Sequence, residues 1–202
     1  METAGDAALN AMFLARKSVF VDLLKWDVPV RDDCHEIDQF DDAHARYLIL
    51  LGDDGRHLGS ARLLPTTRPH ILDTLFAGLC EHEPPRGPHV YEITRFCLDR
   101  SLRAIERRKV RDQLVTALVE HARRHGIATY TGVAEMGWLQ QILSFGWECR
   151  PLGLPVHHGS TMLGALEIRI EPRTPSYLAE AGIWSPVESS DLTQRRAAGA
   201  RG

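Results

Sequence analysis

Residues 46–64 read RYLILLGDDGRHLGSARLL, and this stretch decides the fold. RYLILL at 46–51 and LGSARLL at 58–64 are apolar runs of strand length. The GDDGR segment between them centres on Asp54-Gly55, a pair that favours the tight turn of a hairpin. The sequence therefore predicts two adjacent antiparallel strands as the beginning of a sheet.

Helices and strands are predicted on both sides of this hairpin. Before it, apolar residues at helical spacings predict an amphipathic helix over 8–25, which Pro29 prevents from continuing. After it, a short helix is expected around 71–79. The further predictions are strands at 90–98, 127–133 and 163–170, with helices beginning near Val110 and spanning 136–145. This order predicts an α/β (α+β) fold whose central mixed, mostly antiparallel sheet is flanked by helices.

Length and composition predict one domain and a tail. The chain has 202 residues and 44% hydrophobic content, which suits a single globular domain over 1–186. Residues 187–202 carry no clear period, and we expect them to be a disordered tail. Cys34, Cys80, Cys97 and Cys149 lack CxxC spacing and are typical of free thiols. No signal peptide or apolar run of about 20 residues is present, which favours the cytoplasm.

Charge is unevenly distributed along the chain. The net charge is −3, which disfavours a nucleic-acid binder. Residues 1–60 carry a balance of −6, whereas residues 95–125 carry +5. The basic stretch is either a solvated helix face or a surface for an acidic partner, and charge alone leaves both interpretations open.

Four groups of residues could carry chemistry, although each also has a structural explanation. They are Arg16, Phe20 and Trp26; Glu36, Asp38 and Asp41 in EIDQFD; Arg62 in GSARLLPT; and Glu92 with Arg95 in YEITRF. Isolated aromatic residues are more often core residues, and aspartates in loops are often caps. Arg62 and Arg95 lie inside apolar strands, where an unpaired charge is costly, so acidic partners are expected. The candidate partners are Asp38, Asp41 and Glu92.

Taken in order, these motifs resemble the LuxI-type family of acyl-homoserine-lactone synthases. RKSVF followed by Trp26 and DVP, E-x-D-x-F-D, GSARLLPTTRPHIL with Phe76 downstream, and E-x-T-R-F occur with compatible spacing from about residue 16 to 170. The resemblance implies a fold like that of the GNAT acyltransferases, in agreement with the order of elements above.

The resemblance also implies a reaction. Members of the family join S-adenosylmethionine to an acyl thioester carried by acyl carrier protein or coenzyme A. The amine of the methionine part attacks the thioester, and the methionine carboxylate then expels methylthioadenosine from its own γ-carbon. The product is an N-acyl-homoserine lactone, a quorum-sensing signal. No permanently bound cofactor and no metal are expected. His157 and His158 are adjacent, but no Cys, Asp or Glu lies at a metal-ligand spacing from them.

Roles for the residues follow from the chemistry of these substrates. Aromatic faces of Phe20 and Trp26 could hold the sulfonium by cation–π attraction. A carboxylate suits its ammonium group, and an arginine suits its carboxylate. The full set for S-adenosylmethionine is Arg16, Phe20, Trp26, Asp38, Asp41, Arg62 and Phe76. Glu92 is the candidate general base, with Arg95 as its catalytic partner.

Some charged residues are also expected to pair with each other. In the family, such pairs hold the N-terminal segment over the substrate. We predict the pairs Arg16–Asp38 and Asp41–Arg62.

The acyl donor and the acyl chain are less well defined by the sequence. A run of basic residues follows the predicted strand 90–98, which carries Glu92 and Arg95, and suits an acidic acyl carrier protein. It consists of Arg100, Arg103, Arg107, Arg108 and Lys109. Many GNAT enzymes bind coenzyme A with a glycine pattern of the form Q/R-x-x-G-x-G/A, and this pattern is missing from the sequence. Because basic residues could also bind the phosphates of coenzyme A, it remains an alternative acyl donor. Acyl length should depend on residues 127–150 and 163–170. The resemblance implies a position in this strand at which the family often has Thr when a 3-oxo group is preferred. Either Gly132 or Thr131 occupies it, and the sequence does not choose between them.

Two alternative functions remain. One is a GNAT-like N-acyltransferase that makes another acyl amide without S-adenosylmethionine. The other is a non-catalytic homologue that only binds a ligand. Release of methylthioadenosine separates both from a synthase.

Overall fold

The structure, a computed structural model, describes residues 4–187 and 192–196. Its chain divides into two compact units. The first comprises Met1–Arg62, Arg95–Ala117 and Ser185–Gly202, and the second comprises Leu63–Thr94 and Leu118–Trp184. Within the described ranges, none of the helices has the length and apolar character needed to span a membrane.

Helices and strands follow one another along the chain. The helices are α1 (Ala4–Arg16), α2 (Ile71–Thr74), α3 (Ala104–His125), α4 (Met136–Leu143) and α5 (Thr174–Glu180). The strands are β1 (Val30–Arg31), β2 (His35–Glu36), β3 (Arg46–Leu51), β4 (His57–Pro65), β5 (Val90–Leu98), β6 (Thr129–Glu135), β7 (Glu148–Pro151), β8 (Val156–His158), β9 (Thr161–Arg169) and β10 (Leu192–Arg196). A π-helix spans Lys17–Leu23, and a 3-10 helix spans Ala77–Leu79.

The first unit is built on the predicted hairpin. Gly52 and Arg56 close the turn through a backbone hydrogen bond of 2.9 Å, and Gly55 adopts a φ of 78°. The strand order in this unit is β10-β3-β4-β5. The four central residues of β3 are buried, as expected for a continuous apolar run covered on both faces. The hairpin prediction is confirmed.

The second unit contains the mixed part of the sheet. Its strand order is β4-β5-β6-β9-β7, with β8 paired to β9. β5 and β6 are parallel, with Glu92 opposite Thr131, whereas β9 is antiparallel to β6, β7 and β8. The predicted mixed, mostly antiparallel sheet with helices is confirmed.

The N-terminal helix differs from its prediction. We predicted one amphipathic helix over 8–25, but α1 ends at Arg16 and a π-helix follows it. The wider turns appear in the bond of 2.9 Å from the Leu24 N–H to the Val19 carbonyl, five residues back. Arg16 and Phe20 are four residues apart, but because the π-helix begins between them they do not share one face of a regular α-helix.

Part of the expected tail forms a strand. β10 pairs antiparallel with β3, from Leu192 opposite Leu50 to Arg196 opposite Arg46. Residues 188–191 and 197–202, which belong to the same predicted tail, lie outside the described residues. The prediction of one domain over 1–186 stays a prediction.

Candidate functional site

Six charged side chains of the first unit form one ion-pair cluster, and all are at most 10% exposed. The ion-pair cluster consists of Arg16, Glu36, Asp38, Asp41, Arg62 and Arg95. The end of α1, the strand β2, the loop after β2, β4 and β5 supply these residues. Three positive and three negative groups balance, so burial leaves no uncompensated formal charge.

Arg16 joins the end of α1 to two carboxylates. Its Nε donates to Glu36 at 2.6 Å, and its two Nη atoms donate to both oxygens of Asp41 at 2.8 and 2.9 Å. This fork geometry is the strong, bidentate form of a carboxylate contact. The predicted pair Arg16–Asp38 is wrong, because Glu36 and Asp41 take the guanidinium donors of Arg16 instead.

Arg62 connects β4 to the loop after β2. It binds both oxygens of Asp38 at 2.7 and 3.0 Å and lies 2.8 Å from an oxygen of Asp41. The predicted contact between Asp41 and Arg62 is therefore present. The expectation that an arginine inside this apolar strand has acidic partners is confirmed.

Arg95 occupies an unusual position in β5. Its φ is 52°, a left-handed value that is strained for a residue with a side chain. Every second residue of β5 is buried at Glu92 and Thr94, but the next buried residue is Cys97, so the alternation is interrupted at Arg95. Its Nη2 donates to Glu36 at 2.9 Å and to Asp38 at 2.8 Å. Among the described residues, no hydrogen bond or ion pair uses Nη1 of Arg95.

Electrostatics keep Asp41 and Arg16 of the ion-pair cluster ionised. Burial alone would raise the pKa of Asp41, but the hydrogen bond from Arg16 and the charge of Arg62 hold that pKa well below its usual range. Burial opposes the charged form of Arg16 too, yet Asp41 and Glu36 raise the pKa of its guanidinium. Asp41 and Arg16 therefore act as fixed charges near neutral pH.

The two aspartates are already fully engaged. Asp38 accepts bonds from Arg62, Arg95 and the backbone of Phe40, and Asp41 accepts bonds from Arg16, Arg62, Tyr47 and the backbone of Asp38. An ionised carboxylate offers about four lone pairs. In this arrangement these bonds occupy the oxygens of both aspartates. Binding of the substrate ammonium by Asp38 or Asp41 stays a prediction.

Two members of this network had no predicted role, although Glu36 was named among the charged residues of its motif. Glu36 is fully buried and bridges Arg16 and Arg95, and the Tyr47 hydroxyl donates to Asp41 at 2.8 Å. The EIDQFD motif shows Glu36 as a third carboxylate, which was the available signal. Tyr47 lies in an apolar strand run, where the sequence gives no sign of a polar contact.

The predicted aromatic pair is assembled. Phe20 and Trp26 stack with ring centroids 4.7 Å apart and planes 17° apart. The Arg95 guanidinium carbon lies 5.7 Å from the Phe20 centroid, so Phe20 already has a cation beside it. Phe20 is only 3% exposed, whereas Trp26 is half-buried and is the more accessible of the two rings.

Glu92 belongs to the second unit and is fully buried. Its two oxygens accept the backbone N–H groups of Ile71 at 2.8 Å and Leu72 at 3.0 Å. These donors fix the direction of the carboxylate and stabilise its ionised form. The carboxylate thus has one backbone bond on each oxygen.

Apolar residues share the sheet face of Glu92. Paired residues of neighbouring strands point to the same face, so Glu92 and Thr131 lie on one side, followed on that side by Val133 and Ala165. The apolar cluster consists of Leu72, Leu79 and Ala165 with Phe76, Cys80, Val133, Leu152 and Leu163 packed against them. Gly132 faces the opposite side. The Thr131 hydroxyl is buried and has no hydrogen-bond partner in the part of the chain that the structure describes.

The basic residues predicted to meet a carrier protein all lie in the first unit. Arg100, Arg103, Arg108 and Lys109 are exposed, and Arg103 reaches 82% exposure of its side chain. Arg107 is half-buried and donates to the Asp99 carbonyl at 3.1 Å. Most of these charges are therefore available to a partner.

Known proteins of similar sequence and structure were compared with this chain. A family model described as autoinducer synthase matches residues 2–173. The isovaleryl-homoserine lactone synthase of Bradyrhizobium diazoefficiens is 32% identical over 167 residues, which cover 81% of this chain and 74% of that protein. Several other acyl-homoserine-lactone synthases align over less than half of their own length.

Solved structures agree with the sequence matches. A CoA-dependent acyl-homoserine lactone synthase, BjaI, was solved with S-adenosylmethionine and isopentyl-CoA and also with methylthioadenosine. It is 29% identical with a TM-score of 0.79, over 87% of this chain and 82% of that one. An N-acetyltransferase structure from Lactobacillus plantarum, 19% identical with a TM-score of 0.57 over 84% and 95% of the two chains, shows the fold alone.

These matches bear on the sequence predictions. The family resemblance, the GNAT-like fold and the assignment to an acyltransferase family are confirmed. S-adenosylmethionine and methylthioadenosine are ligands of the solved relative, in agreement with their expected place as substrate and product rather than as permanent cofactor. By sequence and by fold, the chain belongs to the autoinducer synthase family of acyl-homoserine-lactone synthases.

Proposed function

We propose that this chain transfers an acyl chain from acyl carrier protein or acyl-CoA to the amine of S-adenosylmethionine, closes the lactone and releases methylthioadenosine. The product is a quorum-sensing signal made in the cytoplasm. The observation that carries the proposal is Glu92, a buried carboxylate fixed by two backbone N–H groups on the same sheet face as an apolar cluster. This combination suits a proton acceptor beside an acyl chain.

Glu92 supplies the proton acceptor that the first step requires. The amine of S-adenosylmethionine is protonated near neutral pH and must lose a proton before it attacks the thioester carbon. The Glu92 carboxylate, whose two oxygens accept the backbone N–H groups of Ile71 and Leu72, takes this proton directly or through a water molecule. The fixed carboxylate needs no reorganisation during the transfer.

The apolar cluster provides the surroundings for the acyl chain. Leu72, Leu79 and Ala165 form its buried part, and Phe76 packs against them. We therefore assign Phe76 to the acyl side of the reaction, in addition to its expected place near S-adenosylmethionine. Acyl length then depends on β6 and β9, which carry Val133, Leu163 and Ala165.

Thr131, rather than Gly132, is our candidate for recognition of a polar acyl substituent. A buried hydroxyl without a partner costs about 1–3 kcal/mol, so a hydrogen bond to the chain would recover that cost. The strand register places Thr131 on the face of Glu92 and of the apolar cluster, and Gly132 on the other. An oxygen at carbon 3 of the acyl chain fits this role.

Trp26 and Arg95 are the candidates for two polar ends of S-adenosylmethionine. The more exposed ring of Trp26 suits the sulfonium, which has no N–H and is held by cation–π attraction. The Nη1 donors of Arg95 suit the substrate carboxylate, because Nε and Nη2 are the atoms that bind Glu36 and Asp38. Arg16, Asp41 and Arg62 serve chiefly to hold the N-terminal segment in place.

Lactone closure then joins a carboxylate to a carbon bearing a sulfonium, a charge-cancelling step that low polarity favours.

The exposed basic residues favour acyl carrier protein as the donor. Acyl carrier proteins are acidic, and Arg100, Arg103, Arg108 and Lys109 present a positive surface. The solved relative is described as CoA-dependent, and coenzyme A phosphates would also meet basic residues.

We expect the acylation rate with acyl carrier protein to fall as ionic strength rises from 50 to 500 mM, on the order of tenfold, because exposed charges are screened. The double change Arg103→Glu and Lys109→Glu should slow the reaction at low salt and flatten its salt dependence. Stopped-flow or quenched assays with acyl carrier protein measure both effects. Arg124→Glu, an exposed arginine outside the predicted set, is the matched control. A salt-independent rate with the native chain would contradict electrostatic docking.

One assay tests the function as a whole. The purified chain, S-adenosylmethionine and an acyl donor should yield methylthioadenosine and an acyl-homoserine lactone in equal amounts, measured by mass spectrometry. An acyl amide without methylthioadenosine would instead indicate an N-acyltransferase. Binding without either product would indicate a non-catalytic homologue.

A further inference from the structure

His70 is a buried histidine that the reaction outlined above does not use. It lies directly before α2, in the second unit, and its exposed fraction is 0%. The next two residues, Ile71 and Leu72, are the ones whose N–H groups bind Glu92. The conformation at His70 therefore sets where those two donors point.

The contacts of the imidazole assign Nδ1 as a donor nitrogen. Its Nδ1 lies 3.0 Å from the Arg68 carbonyl, which can only accept, so Nδ1 carries the proton. Asp73 lies 3.3 Å from the same Nδ1 and also accepts the backbone N–H of His70 at 2.8 Å. Nε2 is buried and finds no protein partner within the described ranges.

The turn around His70 is fastened to the start of β5. Arg86 lies 3.5 Å from Asp73 and donates to the Thr66 carbonyl at 3.2 Å. The Thr66 hydroxyl donates to the Val90 carbonyl at 2.8 Å and accepts the Gly87 N–H at 3.1 Å. These bonds connect the chain before α2 to β5, the strand that carries Glu92. The same hydrogen-bond network therefore holds both the Glu92 carboxylate and the N–H groups of Ile71 and Leu72 that it accepts.

We propose that His70 is a positioning residue for Glu92, which it orients through the N–H groups of Ile71 and Leu72. The inference rests on the proposed role of Glu92 as proton acceptor. The Nδ1–H bond to Arg68 closes the turn, and Asp73 holds the ring and the backbone of His70 together. With the turn closed, the two backbone donors keep the carboxylate in its reactive direction. Small displacements of such a group slow proton transfer while leaving substrate binding unchanged.

Two substitutions distinguish the roles of the two ring nitrogens of His70. His70→Asn places a side-chain N–H near the position of Nδ1 and removes Nε2, whereas His70→Gln places its amide near Nε2 and removes the Nδ1 donor. We expect His70→Gln to lower kcat about 10- to 100-fold with unchanged KM for both substrates. His70→Asn should restore most of kcat.

Amide hydrogen exchange gives a second readout that does not depend on activity. The Ile71 and Leu72 amides should exchange faster in His70→Gln than in His70→Asn, because only the former loses the closed turn. His57→Gln is the matched control: His57 is also buried, belongs to the first unit, and bonds Ser60. It should lose stability without the selective loss of kcat.

Three outcomes would overturn the inference. They are an unchanged kcat in His70→Gln, a loss in His70→Asn that equals or exceeds the loss in His70→Gln, which would show that the Nδ1 donor is not the deciding group, and unchanged exchange of the two amides. If the native chain releases no methylthioadenosine, the proposed function fails, whereas the exchange comparison still decides whether His70 positions Glu92.

Discussion

Glu92→Gln is expected to reduce turnover by at least about 100-fold, because an amide cannot accept the proton that the attacking amine must lose. Release of methylthioadenosine under saturating substrates measures the change. Affinity for S-adenosylmethionine, followed by calorimetry, should change much less than kcat. Full activity in this variant would remove Glu92 as the base.

The same substitution should also cost stability, which the sequence alone did not indicate. Both Glu92 oxygens accept backbone N–H groups, but glutamine has one oxygen and a donor in place of the other. One buried N–H of Ile71 or Leu72 then faces a second donor, at a cost of about 1–3 kcal/mol. Denaturant unfolding measures this loss and shows whether enough folded protein remains to interpret the rate.

Glu167→Gln is a suitable control for Glu92→Gln. Glu167 is a buried glutamate on β9 that lies opposite Thr131, and its partner is the side chain of Arg150 at 2.8 Å. We expect it to keep turnover while losing an ion pair. A comparable loss of turnover in both variants would show that the rate responds to any buried carboxylate on this face, rather than to Glu92.

Asp38→Asn is expected to lower the free energy of unfolding by about 3–5 kcal/mol, because it leaves buried arginines without compensation. Asp38 binds both Arg62 and Arg95, and the three side chains are at most 10% exposed. An asparagine keeps one acceptor oxygen but presents N–H groups to a guanidinium. Chemical denaturation at pH 7 measures the loss.

A double variant distinguishes lost charge balance from lost volume. Adding Arg62→Met to Asp38→Asn removes one charge of each sign and should recover part of the stability, as a double-mutant cycle would show. Glu148→Gln, in an exposed pair with Arg169, is the control and should cost less than about 1 kcal/mol. A cost of Asp38→Asn no larger than that of the control would contradict the importance of the ion-pair cluster.

The pH dependence of unfolding should show the same cluster. The folded-state pKa of Asp41 lies below its unfolded value, so Asp41 stabilises the fold above about pH 4 and loses that contribution as the pH falls further.

Local sequence patterns were sufficient for the regular elements of this fold. The patterns predicted the hairpin of β3 and β4 and the strands β5, β6 and β9, because each contains a long apolar run. They also predicted α3 from Val110 onward, but its first turns from Ala104 carry mostly charged residues and were not predicted. The short strands β7 and β8 contain four and three residues, which is too few for a periodic signal. The π-helix after Arg16 was missed because its residues also satisfy ordinary helical spacing.

For the candidate site, the sequence determined the residue types, and the tertiary structure determined their partners. An unpaired arginine inside an apolar strand is energetically costly, so it is expected to pair with a carboxylate. Arg62 and Arg95 therefore predicted an ion-pair network from the sequence alone. Which carboxylate each one meets depends on contacts between residues 20 to 59 positions apart, and no local pattern carries that information. For the same reason, only the strand register could place Thr131, and not Gly132, on the face of Glu92.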